Sequence, residues 1–445
     1  MPRLSRRGQA RLDNDVNVPL RFFIPGKYYD TKHNPEGVIN MATAENSLMT
    51  PELLQHIHSH FHLDPVHLKY RVSLLSGFYP NTEQALRMYI NETFHPRELI
   101  TPEQIVTGPG LGAIFAQFIW HTCEEGEGVV ITTPYYDSFA RESEYHAQVK
   151  LVAAHIPRDV DPLSLAAIKY TSAAIEASNA SGTRIRVVIL CNPHNPLARV
   201  YPKETILAYA TLAEKFDLHL LVDEVYGNEV FPSTVVPNPI PFESVLSMDV
   251  NSLTDCDPSR IHVLAGPAKD FGVSGLKVGV FVSQQNDDMV KLIRASLGPI
   301  PISSASDSIM TAVLNDSKFR TWFLEENRRR LTKAFERVAS WCDFHKISYE
   351  PASAGVFVLL DLGPFLERLS DVGASDDVKV DNGVRIMLDN GVFLRPTIVA
   401  HDQIPTRFRM TFTLPPDTML LGLRRLEKAF GLRQGWSFHP WRSNL

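Results

Sequence analysis

Cysteine is scarce in this chain of 445 residues, which carries four cysteines at widely separated positions. Such spacing provides neither the paired cysteines of a zinc site nor a dense disulfide framework. Apolar runs long enough to span a bilayer are also missing. We therefore expect a protein of a reducing compartment with no bound metal and no membrane span.

An excess of charge of one sign is lacking as well. Lysine and arginine total 44 and aspartate and glutamate total 50, which gives a formal net charge of -6. Proteins that bind nucleic acids or anionic membranes usually present a strongly basic surface. The expected partner is therefore a small molecule rather than a nucleic acid or a membrane.

Recognisable targeting signals are missing from both ends of the sequence. The arginine-rich start has no apolar stretch and is followed by Asp13 and Asp15, which argues against a secretory or transit signal. The last residues, Ser443, Asn444 and Leu445, resemble the peroxisomal Ser-Lys-Leu address but lack its basic middle residue. We expect the cytoplasm, with the peroxisome as the alternative.

Short apolar runs alternate with stretches that can form helices in the centre of the chain. The runs are typical of buried strands and lie at residues 104–106, 128–132, 184–191, 218–223, 261–265 and 278–283. This alternation predicts an α/β domain with a doubly wound, parallel sheet. Ligands of such sheets bind beyond the carboxyl ends of the strands, so polar residues directly after these runs are site candidates.

The C-terminal third of the chain has a different pattern. Residues 327–341 and 418–430 have helical periodicity, whereas residues 355–362 and 407–414 are typical of strands. This pattern predicts a smaller C-terminal α+β unit.

A glycine-rich turn follows the first apolar run, where residues 107–112 read Thr-Gly-Pro-Gly-Leu-Gly before a stretch that can form a helix. Gly110 would let the backbone approach an anion, and the helix start at Leu111 would supply free N–H groups. The acidic residue that a dinucleotide site needs is missing, because the next strand ends in Thr132 and Thr133. The turn is a candidate phosphate site, and a purely structural turn is the alternative.

Two polar segments follow neighbouring apolar runs. Residues 192–196 read Asn-Pro-His-Asn-Pro, and residues 223–226 read Asp-Glu-Val-Tyr. Asp223 could keep a ring nitrogen protonated, while Asn195 and Tyr226 could hydrogen-bond a ring oxygen. Each segment alone could be an ordinary turn, but their joint occurrence at strand ends favours a site for a ring.

Lys269 lies four residues after the run at 261–265, where a Schiff-base lysine would be placed. With Asn-Pro-x-Asn-Pro, Asp-x-x-Tyr and Lys-Asp-Phe-Gly in this order, the chain resembles the fold-type I aminotransferases. Within that family it looks most like 1-aminocyclopropane-1-carboxylate synthase and its homologues. Supporting matches include Ala-Glu-Asn at 44–46, Pro-Tyr-Tyr at 134–136 and Arg-Phe-Arg at 407–409.

The resemblance runs from about residue 34 to 430 and implies a fold. It implies a large, mostly parallel sheet of seven strands and a smaller α+β domain built from both chain ends. The expected boundaries are residues 1–65 and 301–445 for the small domain and 66–300 for the large one. It also implies a homodimer, because sites of this fold are typically completed by the neighbouring subunit.

The resemblance further implies pyridoxal 5'-phosphate as the cofactor. Lys269 would bind the cofactor aldehyde and act as the catalytic base, and Asp223 would pair with the pyridine nitrogen. Asn195 and Tyr226 would hydrogen-bond the ring hydroxyl, and Tyr136 would stack on the ring.

The resemblance also implies a substrate site. Arg409 would bind the substrate carboxylate, which suits its place beside Arg407 and Thr411 on one face of a strand. Glu45 would approach the amino-acid portion of the substrate, although a plain surface glutamate is the alternative.

Three positions depart from the family pattern around the cofactor phosphate. Gly266 and Ala268 replace two hydroxyl residues, and Lys277 replaces an arginine. Two neutral donors are lost and a bidentate donor becomes a point charge, so we expect weaker anchoring of the phosphate. Leu74 or Leu75 lies where a partner tyrosine often reaches this phosphate.

The fate of the substrate is left open by the sequence. We favour an aminotransferase or carbon–sulfur lyase that acts on a substituted α-amino acid in specialised metabolism. One alternative is a synthase-type lyase that uses S-adenosylmethionine. Another is a cofactor-poor, non-catalytic relative, as Gly266, Ala268 and Lys277 suggest.

Overall fold

The computed structural model describes residues 27–69 and 81–437, together with Leu4, Ser5, Gly8, Gln9 and Leu12. Some positions discussed above lie outside the described residues. They are Leu74 and Leu75, where a tyrosine of the partner subunit was sought, and Asp13, Asp15 and residues 443–445, which bear on targeting.

The strands of the described residues are, in chain order, β1 (Ile39–Asn40), β2 (Ile105–Gly108), β3 (Gly128–Thr132), β4 (Lys150–Ala154), β5 (Ile185–Cys191), β6 (His219–Asp223), β7 (Ile261–Ala265), β8 (Gly279–Val282), β9 (Ser348–Tyr349), β10 (Phe357–Asp361), β11 (Val392–Phe393), β12 (Arg395–Pro396) and β13 (Arg407–Thr411). The α-helices are α1 (Thr50–His60), α2 (Asn81–Thr93), α3 (Leu111–Thr122), α4 (Ser138–Ala147), α5 (Ile168–Ala180), α6 (Lys203–Lys215), α7 (Val250–Thr254), α8 (Pro267–Asp270), α9 (Asp287–Leu297), α10 (Ser304–Asn315), α11 (Ser317–His345), α12 (Gly363–Arg368), α13 (Asp376–Asp389) and α14 (Pro416–Ala429).

A large mixed sheet forms the centre of the molecule. Within the described part of the chain it has seven strands in the order β2–β8–β7–β6–β5–β3–β4. Strands β3, β4, β5, β6 and β7 are parallel, whereas β8 runs antiparallel to both β2 and β7. The predicted α/β class with a mostly parallel sheet of seven strands is confirmed.

Alternate residues of the central strands pack against helices on opposite faces of the sheet. In β5, Val187 and Ile189 pack in one core with residues of α3, α4 and α9, whereas Val188 and Leu190 pack in another with residues of α2, α5 and α6. Strands buried on both faces need apolar side chains at every position, which explains the continuous apolar runs of the sequence.

Strand β4 was not predicted from the sequence. It lies at the edge of the sheet and pairs with β3 alone, and most of its residues are exposed or half-buried. Its sequence, Lys-Leu-Val-Ala-Ala, is also rich in good helix formers. Neither burial nor propensity therefore marks it as a strand.

The smaller α+β part combines both ends of the described chain. An antiparallel sheet has the order β12–β13–β10–β9, and β1 pairs in parallel with β11 through Ile39 and Val392. The predicted helix at residues 327–341 lies inside the longer α11, which packs near these strands. The exact domain boundaries at residues 65 and 300 stay a prediction.

Strands β5, β6 and β7 end at the same edge of the large sheet. Residues 192–196, 223–226 and 266–272 follow these ends and face the small antiparallel sheet, where Arg409 of β13 contacts Asn195. No helix in the described residues is both long and apolar enough to cross a membrane.

Candidate active site

A cavity of about 680 Å³ lies at the carboxyl ends of the central strands. Every predicted site residue except Glu45 lines it: Gly110, Leu111, Tyr136, Asn195, Asp223, Tyr226, Lys269, Lys277 and Arg409. Residues of the smaller α+β part complete the wall, among them Phe393 of β11 and Arg395 of β12. The structure therefore brings together side chains that the sequence places far apart.

Lys269 lies in the short helix α8, directly after β7. Its Nζ donates a hydrogen bond to the carbonyl of Ala44, at 2.5 Å. Burial lowers the pKa of Lys269, while the carboxylates of Glu229, Glu45 and Asp223 oppose this change and Arg409 adds to it. A lysine with a lowered pKa more readily supplies the neutral amine that attacks a carbonyl.

Asp223 ends β6 and is buried at the wall of the cavity. Its Oδ1 accepts a hydrogen bond from the N–H of Val225 at 3.2 Å. Burial raises the pKa of Asp223 to about 7, although this hydrogen bond and the charge of Lys269 both act to lower it. A buried carboxyl in this setting fits a protonated ring nitrogen, whose positive charge would stabilise the carboxylate.

Arg409 joins the small sheet to the segment after β5. Its Nη1 donates to Asn195 Oδ1 at 2.7 Å, and its Nη2 donates to the carbonyl of Ala42 at 2.7 Å. Its guanidinium carbon lies 5.0 Å from the centre of the Phe357 ring, and its Nε has no hydrogen-bond partner among the described residues. These contacts hold the guanidinium group of Arg409 in place. Because Asn195 uses its amide oxygen here, its amide nitrogen is left to donate to a ring oxygen.

Two tyrosines border the same space. Tyr226 is buried and packs edge-on against Phe357, with ring centres 5.4 Å apart. Tyr136 precedes α4 and packs edge-on against Phe139 at 5.3 Å. Both rings line the cavity, so their predicted contacts with the cofactor ring and its hydroxyl are compatible with the structure.

The start of α3 forms a cradle for an anion. Gly110 precedes the helix at φ +90°, a conformation that favours glycine, and the first N–H groups of a helix lack intrahelical acceptors. A Cβ atom at Gly110 would lie 3.6 Å from Cδ of Lys277, so the lysine stem passes beside the turn. The helix start and one lysine fit a phosphate dianion.

Steric crowding explains why position 266 carries glycine instead of the hydroxyl residue that usually binds the phosphate. A Cβ atom there would lie 3.1 Å from Cα of Gly279 and 3.3 Å from the carbonyl oxygen of Val278. A serine therefore has little room between β7 and β8. Ala268, in contrast, lines the cavity itself.

Ser274 is a candidate cofactor-binding residue that the sequence analysis missed. It lines the cavity within the turn before Lys277, and its buried hydroxyl oxygen has no hydrogen-bond partner among the described residues. An unpartnered buried hydroxyl is unfavourable unless a ligand bonds to it. Ser274 could therefore replace a donor that is lost at positions 266 and 268.

Two acids near the site were also missed, one of them half-buried and the other buried. Glu142 of α4 lines the cavity, and burial together with the charge of Asp223 raises its pKa to about 7. Glu229 is fully buried, and burial raises its pKa well above the ordinary range, with a further contribution from Asp270. No motif marks either residue, because their burial arises only from tertiary packing.

Glu45 does not line the cavity. Its side chain is exposed, and its backbone carbonyl accepts a hydrogen bond from the Thr413 hydroxyl at 2.5 Å. The negative charge of Glu45 still acts on Lys269, because it opposes the lowering of that lysine's pKa by burial. Its predicted contact with the substrate stays a prediction.

Known proteins with similar sequences are aminotransferases and their relatives. The chain matches the family model described as Aminotransferase class I and II over residues 53–426. It is 30% identical over 413 residues to the probable aminotransferase gliI of Aspergillus fumigatus, which covers 90% of this chain and 91% of that protein. It is 28% identical to human 1-aminocyclopropane-1-carboxylate synthase-like protein 1, covering 90% of this chain and 77% of that protein.

Solved structures with the same fold include aspartate aminotransferase from Thermus thermophilus with maleate. That structure matches with a TM-score of 0.68 at 18% identity, covering 96% of this chain and 100% of the other. N-succinyldiaminopimelate aminotransferase from Mycobacterium tuberculosis matches with a TM-score of 0.67 at 18% identity, covering 88% and 93%. At such low identity these likenesses establish the fold.

Proposed function

Since the chain belongs to the class I and II aminotransferase family, we propose that its cavity binds pyridoxal 5'-phosphate at Lys269 and transforms a substituted α-amino acid. The reaction is transamination or carbon–sulfur bond cleavage in specialised metabolism. The observation that carries this proposal is the convergence of Lys269, Asp223 and Arg409 on one cavity.

Each of these three residues has a distinct task. Pyridoxal phosphate, when bound, supplies an electron sink that makes the Cα–H bond of an amino acid acidic. Lys269 Nζ takes the proton from Cα, since its pKa is lowered and it lies near the substrate space. Asp223 holds a proton on the ring nitrogen, and Arg409 binds the α-carboxylate with its planar fork.

The remaining contacts position the ring and the phosphate. Asn195 and Tyr226 would hydrogen-bond the ring hydroxyl, and Tyr136 would pack on the ring. Lys277 and the start of α3 bind the phosphate, with Ser274 as an additional donor. The residues proposed for the chemistry are therefore all present, although the phosphate site has lost two of the usual hydroxyls, at Gly266 and Ala268.

The size of the cavity suits a cofactor together with an amino-acid substrate. Ligand pockets usually measure about 300–1,000 Å³, and this cavity of about 680 Å³ must hold the cofactor and the amino acid together. We also propose a homodimer, as is typical of this fold, and a reducing compartment such as the cytoplasm, which the four free, buried cysteines support.

Product analysis distinguishes the two reactions. Cofactor-saturated protein is incubated with S-substituted cysteines, with and without a 2-oxo acid. Cleavage breaks the Cα–H and Cβ–S bonds and releases a thiol, and hydrolysis then yields pyruvate and ammonia. Transamination instead needs the 2-oxo acid and converts it to an amino acid. Lys269→Ala is the control, and absence of both product sets over a broad panel of amino acids would support the non-catalytic alternative.

A further inference from the structure

Histidine is concentrated in and directly after helix α1, away from the active-site cavity. Residues 56–67 contain five of the 16 histidines of the chain: His56, His58, His60, His62 and His67. None of them lines the cavity. The expectation of no bound metal rests on cysteine spacing and does not extend to histidine ligands.

Two of these histidines meet a carboxylate from a distant part of the chain. His56 and His60 are four residues apart and therefore share one face of α1. Asp316 lies directly before α11. One ring nitrogen of each histidine and one carboxylate oxygen of Asp316 all lie within 4.8 Å of one another. Two imidazoles and a carboxylate are a ligand set that zinc accepts.

The ring of His56 supplies an independent reason to expect a ligand. The residue is only 8% exposed, and its Nε2 has no hydrogen-bond partner among the described residues. The ring is stacked against His60 at 4.1 Å and against Phe319 at 3.7 Å between centres. A buried nitrogen without a partner is unfavourable, and coordination of a cation would satisfy it.

The other two side chains each keep a free ligand atom. His60 Nδ1 donates to the carbonyl of His56 at 2.8 Å, which leaves the lone pair on Nε2. Metal-ligating histidines commonly make this kind of second hydrogen bond. One oxygen of Asp316 accepts from the N–H of Phe319 at 3.0 Å, and the carboxylate has a second oxygen for a cation.

We propose that His56, His60 and Asp316 bind a divalent transition metal, with zinc as the probe ion and water in the fourth position. Zinc–nitrogen and zinc–oxygen bonds of about 2.0–2.2 Å place tetrahedral ligands roughly 3.3 Å apart. The His60 side chain is exposed, so it has room to move closer to the other two ligands. The ion joins α1, near the start of the described chain, to the start of α11.

The test uses tag-free, full-length holoenzyme treated with a chelator and dialysed. Zinc chloride is titrated in competition with a fluorescent chelator, and bound zinc is counted by mass spectrometry. We expect one zinc per chain and a higher melting temperature in its presence. His60→Gln and Asp316→Asn should each weaken binding by at least about tenfold. Asn at 316 keeps the oxygen that caps α11, and Gln at 60 keeps a donor on the same helix face.

His58→Ala is the matched control, because His58 is exposed on the same helix and lies outside the cluster. Its zinc affinity should equal that of the unaltered protein. The proposal is overturned if no zinc binds, or if His60→Gln and Asp316→Asn bind zinc as tightly as His58→Ala does. Loss of binding in His62→Ala with full binding in His60→Gln would also overturn it. Unchanged cofactor absorbance in each variant shows that the fold is retained.

Discussion

Replacing Asp223 with asparagine is expected to raise the stability of the cofactor-free protein and to lower the turnover of the cofactor-loaded protein. Without cofactor, Asp223 is a buried carboxyl whose bonded partner is the N–H of Val225, at 3.2 Å. Asparagine has a similar shape and no charge to bury. With cofactor, however, the carboxylate is the group that holds a proton on the ring nitrogen.

The expected gain in stability depends on pH. The pKa of Asp223 is raised from 3.8 to about 7, chiefly by burial. A raised pKa in the folded state means that ionised Asp223 destabilises the fold, with no penalty below pH 3.8 and the full penalty above pH 7. At about 1.36 kcal/mol per pKa unit the full penalty is about 4 kcal/mol. The stability gained by Asp223→Asn should therefore grow by up to that amount between about pH 4 and pH 7.

Thermal unfolding of the cofactor-free proteins at a series of pH values measures this effect. The melting temperature of Asp223→Asn should exceed that of the unaltered protein by more at pH 8 than at pH 5. Asp159→Asn, at an exposed position, controls for the loss of a negative charge as such. A difference that stays constant with pH, or that shrinks as pH rises, would refute the argument. Turnover of cofactor-loaded Asp223→Asn should fall by about 10²–10³-fold, the scale for losing one preorganised electrostatic partner.

Three further predictions follow from the site and the fold. Ala268→Ser combined with Lys277→Arg should tighten cofactor binding about tenfold in equilibrium dialysis, because each change adds a donor to the phosphate. Gly266→Ser should not tighten binding, since its Cβ would lie 3.1 Å from Cα of Gly279. Unchanged affinity in the pair would mean that other groups already hold the phosphate. Arg409→Lys should lower kcat/KM for α-amino acids by about 10–100-fold in steady-state assays through loss of the bidentate fork, and an unaltered value would place the carboxylate elsewhere. Light scattering should show a homodimer, whereas an active monomer would contradict that prediction.

The sequence predicted the central sheet because its strands are buried on both faces. Runs such as residues 187–191 are continuously apolar, and this pattern can be read without knowledge of the tertiary structure. Strand β4 has neither full burial nor strand-favouring residues throughout, so the same criterion missed it. Its position follows from pairing with β3, which is a tertiary property.

Some residues of the candidate site were predictable from the sequence, and others were not. Asp223 ends β6, Lys269 lies four residues after β7, and Asn195 falls within a motif that follows β5. Sequence position and family resemblance were therefore enough to select them. Ser274 and Glu142 became candidates only when their place on the cavity wall was known. Their local sequence carries no motif, and their unpartnered or buried state arises from packing between distant segments. The chemical roles of all these residues stay predictions.

Borohydride reduction of the cofactor-loaded protein tests the central claim most directly. Reduction makes the bond between a lysine Nζ and pyridoxal phosphate permanent, and peptide mapping by mass spectrometry then identifies the lysine. The account predicts a single modified lysine, Lys269, with loss of the modification and of turnover in Lys269→Ala. Modification at a different lysine, or at none in cofactor-saturated protein, would contradict the account.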